Sequence, residues 1–187
     1  MDVGEEFGPL RGLAGTWEGE KGLDVSFHNE DGAIGDTAYR ERTTFNPFGP
    51  VENGSQVLYG LDYRTAAWRG DEVDPFHTEV GYWLWDAAAQ QVMRCFMVPR
   101  GQIALAIGTA AADARHFTMT AQLGSVTDGI LSNPYLDQAA RATAYTVTVT
   151  VSEDGQEYSY DETTTLELTR QPDPVAHTDR NTLRRVE

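Results

Sequence analysis

Apolar and polar residues alternate with a period of two along most of this chain, in segments rich in Thr, Val, Tyr and Phe. Clusters of Gly, Pro, Asp and Asn cut the segments apart, which is the pattern of many short strands. It predicts strands over 16–20, 23–27, 37–46, 56–65, 78–86, 91–99, 102–111, 116–123, 143–152, 157–169 and 177–186. The turn residues at 29–32 (Asn-Glu-Asp-Gly), 52–54 (Glu-Asn-Gly) and 152–155 (Ser-Glu-Asp-Gly) accept positive φ, so hairpins are expected there. Helix is expected only as a turn or two at 5–13 and again at 133–140, where Asn133 would cap and Pro134 take the first helical position. The longest irregular segments, 48–54, 66–75 and 171–176, are expected at the ends of the sheet structure.

Strands this numerous with so little helix to cover them bury their apolar faces only by closing on themselves or by stacking in two layers. Closure also removes unpaired edges. The expected fold is therefore all-β: a closed antiparallel β-barrel of about ten strands with short helical turns, forming one domain over 1–187. A chain of 187 residues buries a sufficient core without disulfides or metal.

Fourteen basic residues against twenty-nine acidic ones leave a formal charge of −15. That balance opposes nucleic acid and anionic membrane surfaces, both of which require a basic patch. No apolar run reaches the length of a membrane-spanning helix, and the acidic start at 1–6 lacks the features of a signal peptide, so the expected location is cytoplasmic. Cys95 is the sole cysteine and sits in an apolar run, where an inert buried thiol is expected. Metalloprotease, nucleophile-elbow, phosphate-loop and dinucleotide motifs are all missing.

The segment Pro75-Phe76-His77-Thr78-Glu79-Val80-Gly81-Tyr82-Trp83-Leu84-Trp85 carries the most chemistry. Alternation places His77, Glu79, Gly81, Trp83 and Trp85 on one face. An imidazole, a carboxylate and two indoles beside a glycine suit the wall of a ligand cavity, or equally a polar strand start followed by an aromatic core. His77 in the second case simply bonds Glu79 or a cross-strand hydroxyl. Gly15-Thr16-Trp17 opens the first strand and Arg184-Arg185 lies in the last. This resembles the calycin barrels, in which a basic residue from near the chain end packs on such an indole. The resemblance implies an arginine that seals one barrel end and contributes roughly 0.5–2 kcal/mol, the alternative being Trp17 as ordinary core with both arginines solvated.

Taken in order, Gly15-Thr16-Trp17-Glu18-Gly19, Phe45, Phe76-His77-Thr78-Glu79-Val80-Gly81-Tyr82 and Pro174-Val175-Ala176-His177 resemble the nitrobindin family. These haem-binding β-barrels are related to fatty-acid-binding proteins, belong to the calycin type, and include the C-terminal domain of a THAP-type protein. The resemblance implies haem b in an open pocket, with His177 as the iron ligand and Thr16, Phe45, Phe76 and His77 as cofactor-binding residues. It also implies nitric oxide binding or conversion of peroxynitrite to nitrate. The chain departs from the family's P-L-x-x-H-L ending, since its proline-to-histidine interval is one residue shorter.

Two other functions stand beside haem binding. One is a haem-free carrier of a fatty acid or other small apolar ligand, with Arg64, Arg94 or Arg100 meeting a carboxylate. The other is an interaction barrel whose interior is filled by its own aromatics. A homodimer is one assembly open to such a barrel.

Overall fold

The computed structural model describes residues 3–186; Met1 and Asp2 of the acidic start, and Glu187, lie outside them. Eleven strands form the barrel: β1 (Gly15–His28), β2 (Ala33–Asn53), β3 (Gln56–Trp68), β4 (His77–Asp86), β5 (Gln91–Val98), β6 (Gln102–Thr109), β7 (His116–Leu123), β8 (Gly129–Ser132), β9 (Ala140–Val151), β10 (Glu157–Leu168) and β11 (Val175–Arg185). Around the ring they run β1, β11, β10, β9, β7, β8, β6, β5, β4, β3, β2 and back to β1. Every pairing is antiparallel except a two-residue parallel contact of β7 with β8.

The two segments expected at 16–20 and 23–27 are one strand. Its register against β2 shifts between Gly19 and Gly22, where the chain bulges. The segment 48–54, expected to be irregular, is mostly strand: β2 continues through Asn53 with a register shift between Phe48 and Val51. Strand β8 lies between the strands expected at 116–123 and 143–152, where the alternation predicts none. The expected helical turns are present as a 3-10 helix, Glu5–Leu13, and as α1, Pro134–Ala139. The Asn133 side chain accepts hydrogen bonds from the amides of Tyr135 and Leu136, so the cap acts as its residue type predicts.

One barrel end is shut. The 3-10 helix lies across it, with Leu10 and Leu13 fully buried. Trp17, also fully buried, donates from Nε1 to the Leu13 carbonyl oxygen at 2.7 Å. Arg185, paired in register with Trp17, stacks its guanidinium 4.2 Å from the indole centroid. The same guanidinium donates to the carbonyl oxygens of Ala14 and Gly12, so it ties β11 to the end of the helix. The core follows inward from this seal through Phe45, Leu61, Trp83, Phe117, Val147, Val149 and Tyr158.

Candidate functional site

Toward the other end the inward-facing positions change character. On β4, alternation carries Trp85, Trp83, Glu79 and His77 into the lumen while Val80 and Tyr82 face outward and are exposed, as the strand pattern predicts. Gly81 does not make room for a ligand. A Cβ there would stand 2.0 Å from the Cys95 carbonyl oxygen, so the glycine serves the close approach of β4 to β5.

Two polar clusters occupy the lumen above the aromatic floor. In the first, Arg94 rises from β5 and donates from Nη2 to Glu79 Oε2 at 2.5 Å and from Nη1 to Glu162 Oε2 at 2.7 Å. It also donates to the hydroxyls of Tyr145 and Tyr63. Burial opposes the ionised form of Glu79, but the Arg94 charge and His77 outweigh it and hold the carboxyl down at about 2. In the second cluster, buried Glu41 accepts hydrogen bonds from Thr43, Thr65, Tyr160 and Asn181. Desolvation is the larger effect there and raises its pKa.

At the mouth, His177 Nε2 lies 2.6 Å from Asp24 Oδ2 and 3.1 Å from Asp179 Oδ2. Burial lowers the imidazolium's pKa, yet the bonds to Asp179 and Asp24 push it up to about 10. Asp179 moves the other way from a simple ion-pair partner: burial and the nearby Glu162 charge outweigh His177 and raise it to about 6. Asp24 is lowered, since bonds from His177 and Ser26 outweigh its desolvation. The mouth therefore carries more negative charge than His177 neutralises.

These groups line one cavity together with Tyr39, Phe45, Phe76, His77 and Trp83. Its room is about 80 Å³, and about 700 Å³ when all space between atoms out to the open mouth is counted. Phe76 presents its ring beside Tyr39, and Arg69 stacks 4.5 Å from the Phe76 centroid. His77 Nε2 lies 3.2 Å from Glu79 Oε1. Among the described residues, Trp83 Nε1 is the one buried side-chain polar atom without a hydrogen-bond partner.

Of the residues singled out in the sequence, the cavity brings together Phe45, Phe76, His77 and His177. Thr16 is not among its lining residues; it sits buried beside Trp17 near the sealed end, paired with Thr44. Of the arginines suggested for a lipid carboxylate, Arg64 and Arg100 are exposed, and Arg94 is inside but already paired with two glutamates. Sequence reading missed Asp24, Glu41, Glu162 and Asp179. Their signal was an acidic residue on the inward parity of a strand, and that parity is legible only once the register is known.

A cavity closed at one end, polar at the other and walled by a continuous ring of strands defines a closed β-barrel with an internal cavity. The chain belongs to the family of THAP4-like, haem-binding β-barrel domains, whose model matches residues 6–185. Among solved structures it is similar to that titled "Crystal Structure of Rv2717c from M. tuberculosis", at 20% sequence identity and a TM-score of 0.68, with 100% of each chain covered. At that identity the likeness shows the fold. No curated protein sequence matches the chain.

The family implies haem, and the cavity tests that implication. An iron ligand must be a neutral imidazole with a free lone pair. His177 instead presents Nε2 to two carboxylates that hold it protonated. Pockets that enclose drug-sized molecules run to about 300–1,000 Å³, and the room here is about 80 Å³ with a guanidinium ion-paired across it. As arranged, these residues do not fit a haem ligated by His177.

Proposed function

We propose that this member of the haem-binding barrel family binds a small polar ligand at its mouth, one with a positively charged or hydrogen-bond-donating group. The reading rests on one observation: Asp24 and Asp179 converge on a single imidazole nitrogen, leaving a surplus carboxylate facing the cavity. A cation relieves that surplus, and the Phe76 and Tyr39 rings beside it supply π faces of the kind that attract cations. A fatty acid meets the opposite environment, since the lining holds five carboxylates against Arg94 and two imidazoles.

The test is thermal unfolding with millimolar methylguanidine, ethanolamine and imidazole. A ligand that binds only the folded state raises its stability in proportion to RT ln(1 + [L]/Kd). A saturable rise in Tm for at least one of them, lost in Asp179→Asn, is the expected result. No saturable rise with any overturns the reading.

Family membership favours a second reading: haem b at the same mouth, with His177 as the axial ligand and Phe76 and His77 opposite, binding nitric oxide or isomerising peroxynitrite. It requires His177 to leave both aspartates and lose its proton. Haemin titration separates the two. A stoichiometric Soret band abolished by His177→Ala supports haem, and no band at neutral pH supports the polar ligand.

A further inference from the structure

Arg94 pairs in register with Trp83 at the level of the aromatic floor, yet its guanidinium is held at the level of Glu79, four residues nearer the mouth on β4. From there it reaches Glu162 on β10 and Tyr145 on β9. Around the ring β10 stands five strands from β5 in one direction and six in the other, so the side chain crosses the lumen to the opposite wall. The crossing is packed as well as ion-paired: the Arg94 Cζ lies 4.5 Å from the Phe96 centroid and 5.3 Å from that of Trp83. Below it lie Phe45, Val149 and Tyr158, core residues whose inner faces border the apolar floor of the same cavity. Above it lie the carboxylates and imidazoles of the mouth.

We propose that Arg94 determines the ligand specificity of the barrel, as a strut that bars apolar molecules from the lower lumen and confines binding to the polar mouth. The inference rests on the small-ligand reading above and names the residue that enforces it. A buried ion pair resists intrusion because separating it strands charges in a low-dielectric interior. An apolar ligand that displaced Arg94 would leave Glu79 and Glu162 without their shared cation.

Replacing all members of such a pair together avoids a stranded charge and is often tolerated. The triple variant Arg94→Leu, Glu79→Gln, Glu162→Gln is therefore titrated with the neutral apolar dye N-phenyl-1-naphthylamine beside the wild type, with near-ultraviolet circular dichroism verifying the fold. Wild type is expected to give no saturable fluorescence. The folded triple variant is expected to bind one dye per chain with affinity at least about tenfold higher. Saturable binding by wild type equal to the variant's overturns the proposal, as does a folded triple variant that gains none. If the triple variant does not fold, the double variant Glu162→Leu, Tyr145→Phe decides, since it removes both far-wall anchors and leaves Arg94 paired with Glu79: about a tenfold gain supports the strut and no gain overturns it. The dye result is independent of amine binding by the wild type, so this proposal and the reading it rests on fail separately.

Discussion

His177 Nε2 and Asp24 Oδ2 stand 2.6 Å apart, joining β11 to β1 at the open end of the barrel. The bond opposes two wishes of the same imidazole. A proton held there by Asp24 and Asp179 stabilises the strand pair and removes the lone pair that a metal would need.

The first prediction follows from that proton. The folded-state pKa of His177, about 10, lies above the ordinary 6.5. Its stabilising contribution is therefore complete below about pH 6.5 and is lost as pH rises through about 10. Urea unfolding from pH 6 to 10 should show wild type losing stability relative to His177→Gln across that window. Parallel curves for the two proteins contradict the assignment.

Glu79 predicts the opposite sign in acid. Its folded-state pKa of about 2 lies below the usual 4.5, so its contribution is present above pH 4.5 and disappears as pH falls toward 2. Glu79→Gln should be less stable than wild type at pH 7 and should lose less stability than wild type between pH 4.5 and 2. Acid titration of Tm for both proteins measures the difference.

Arg185 closes the sealed end through the Trp17 indole and two helix carbonyls. Arg185→Ala removes the cation–π contact, worth about 0.5–2 kcal/mol, and hydrogen bonds worth about 1 kcal/mol each. Denaturant unfolding should give a loss of about 2.5–4 kcal/mol. Arg184→Ala, which removes only a surface pair with Glu157, should cost less than about 1 kcal/mol.

Gly81→Ala puts a Cβ into the Cys95 carbonyl oxygen, against backbone that cannot rotate away. The β4–β5 ladder must separate locally, and a loss above about 2 kcal/mol is expected. Retained stability together with unchanged amide exchange at Tyr82 and Cys95 would contradict this role.

Much of the barrel was legible in the order of residues. Alternation located ten of the eleven strands, because a half-buried strand imposes a period of two on its own side chains. It missed β8, whose four residues, Gly129–Ser132, are too few to establish a period. It also stopped β2 early, because Pro47, Gly49 and Pro50 read as loop. The seal was legible by resemblance, since Gly15-Thr16-Trp17 on the first strand and Arg184-Arg185 on the last follow the calycin pattern, and Trp17 does pair with Arg185.

The site was only half legible. His77 and Glu79 declare themselves by lying two apart on one strand, and His177 by the family resemblance. What the amino-acid sequence determined alone was the element type, the inward parity of β4 and the formal charge of −15, since these depend on local geometry and composition. Tertiary structure decided that Arg94 crosses to Glu162 and that Asp24 and Asp179 share one imidazole nitrogen. Those contacts join residues 68 and 153 positions apart, and for the second, two apart on one strand. The two long-range pairings arise from strand order and register around the closed ring, which no local period encodes, whereas His177 and Asp179 share a face by alternation alone.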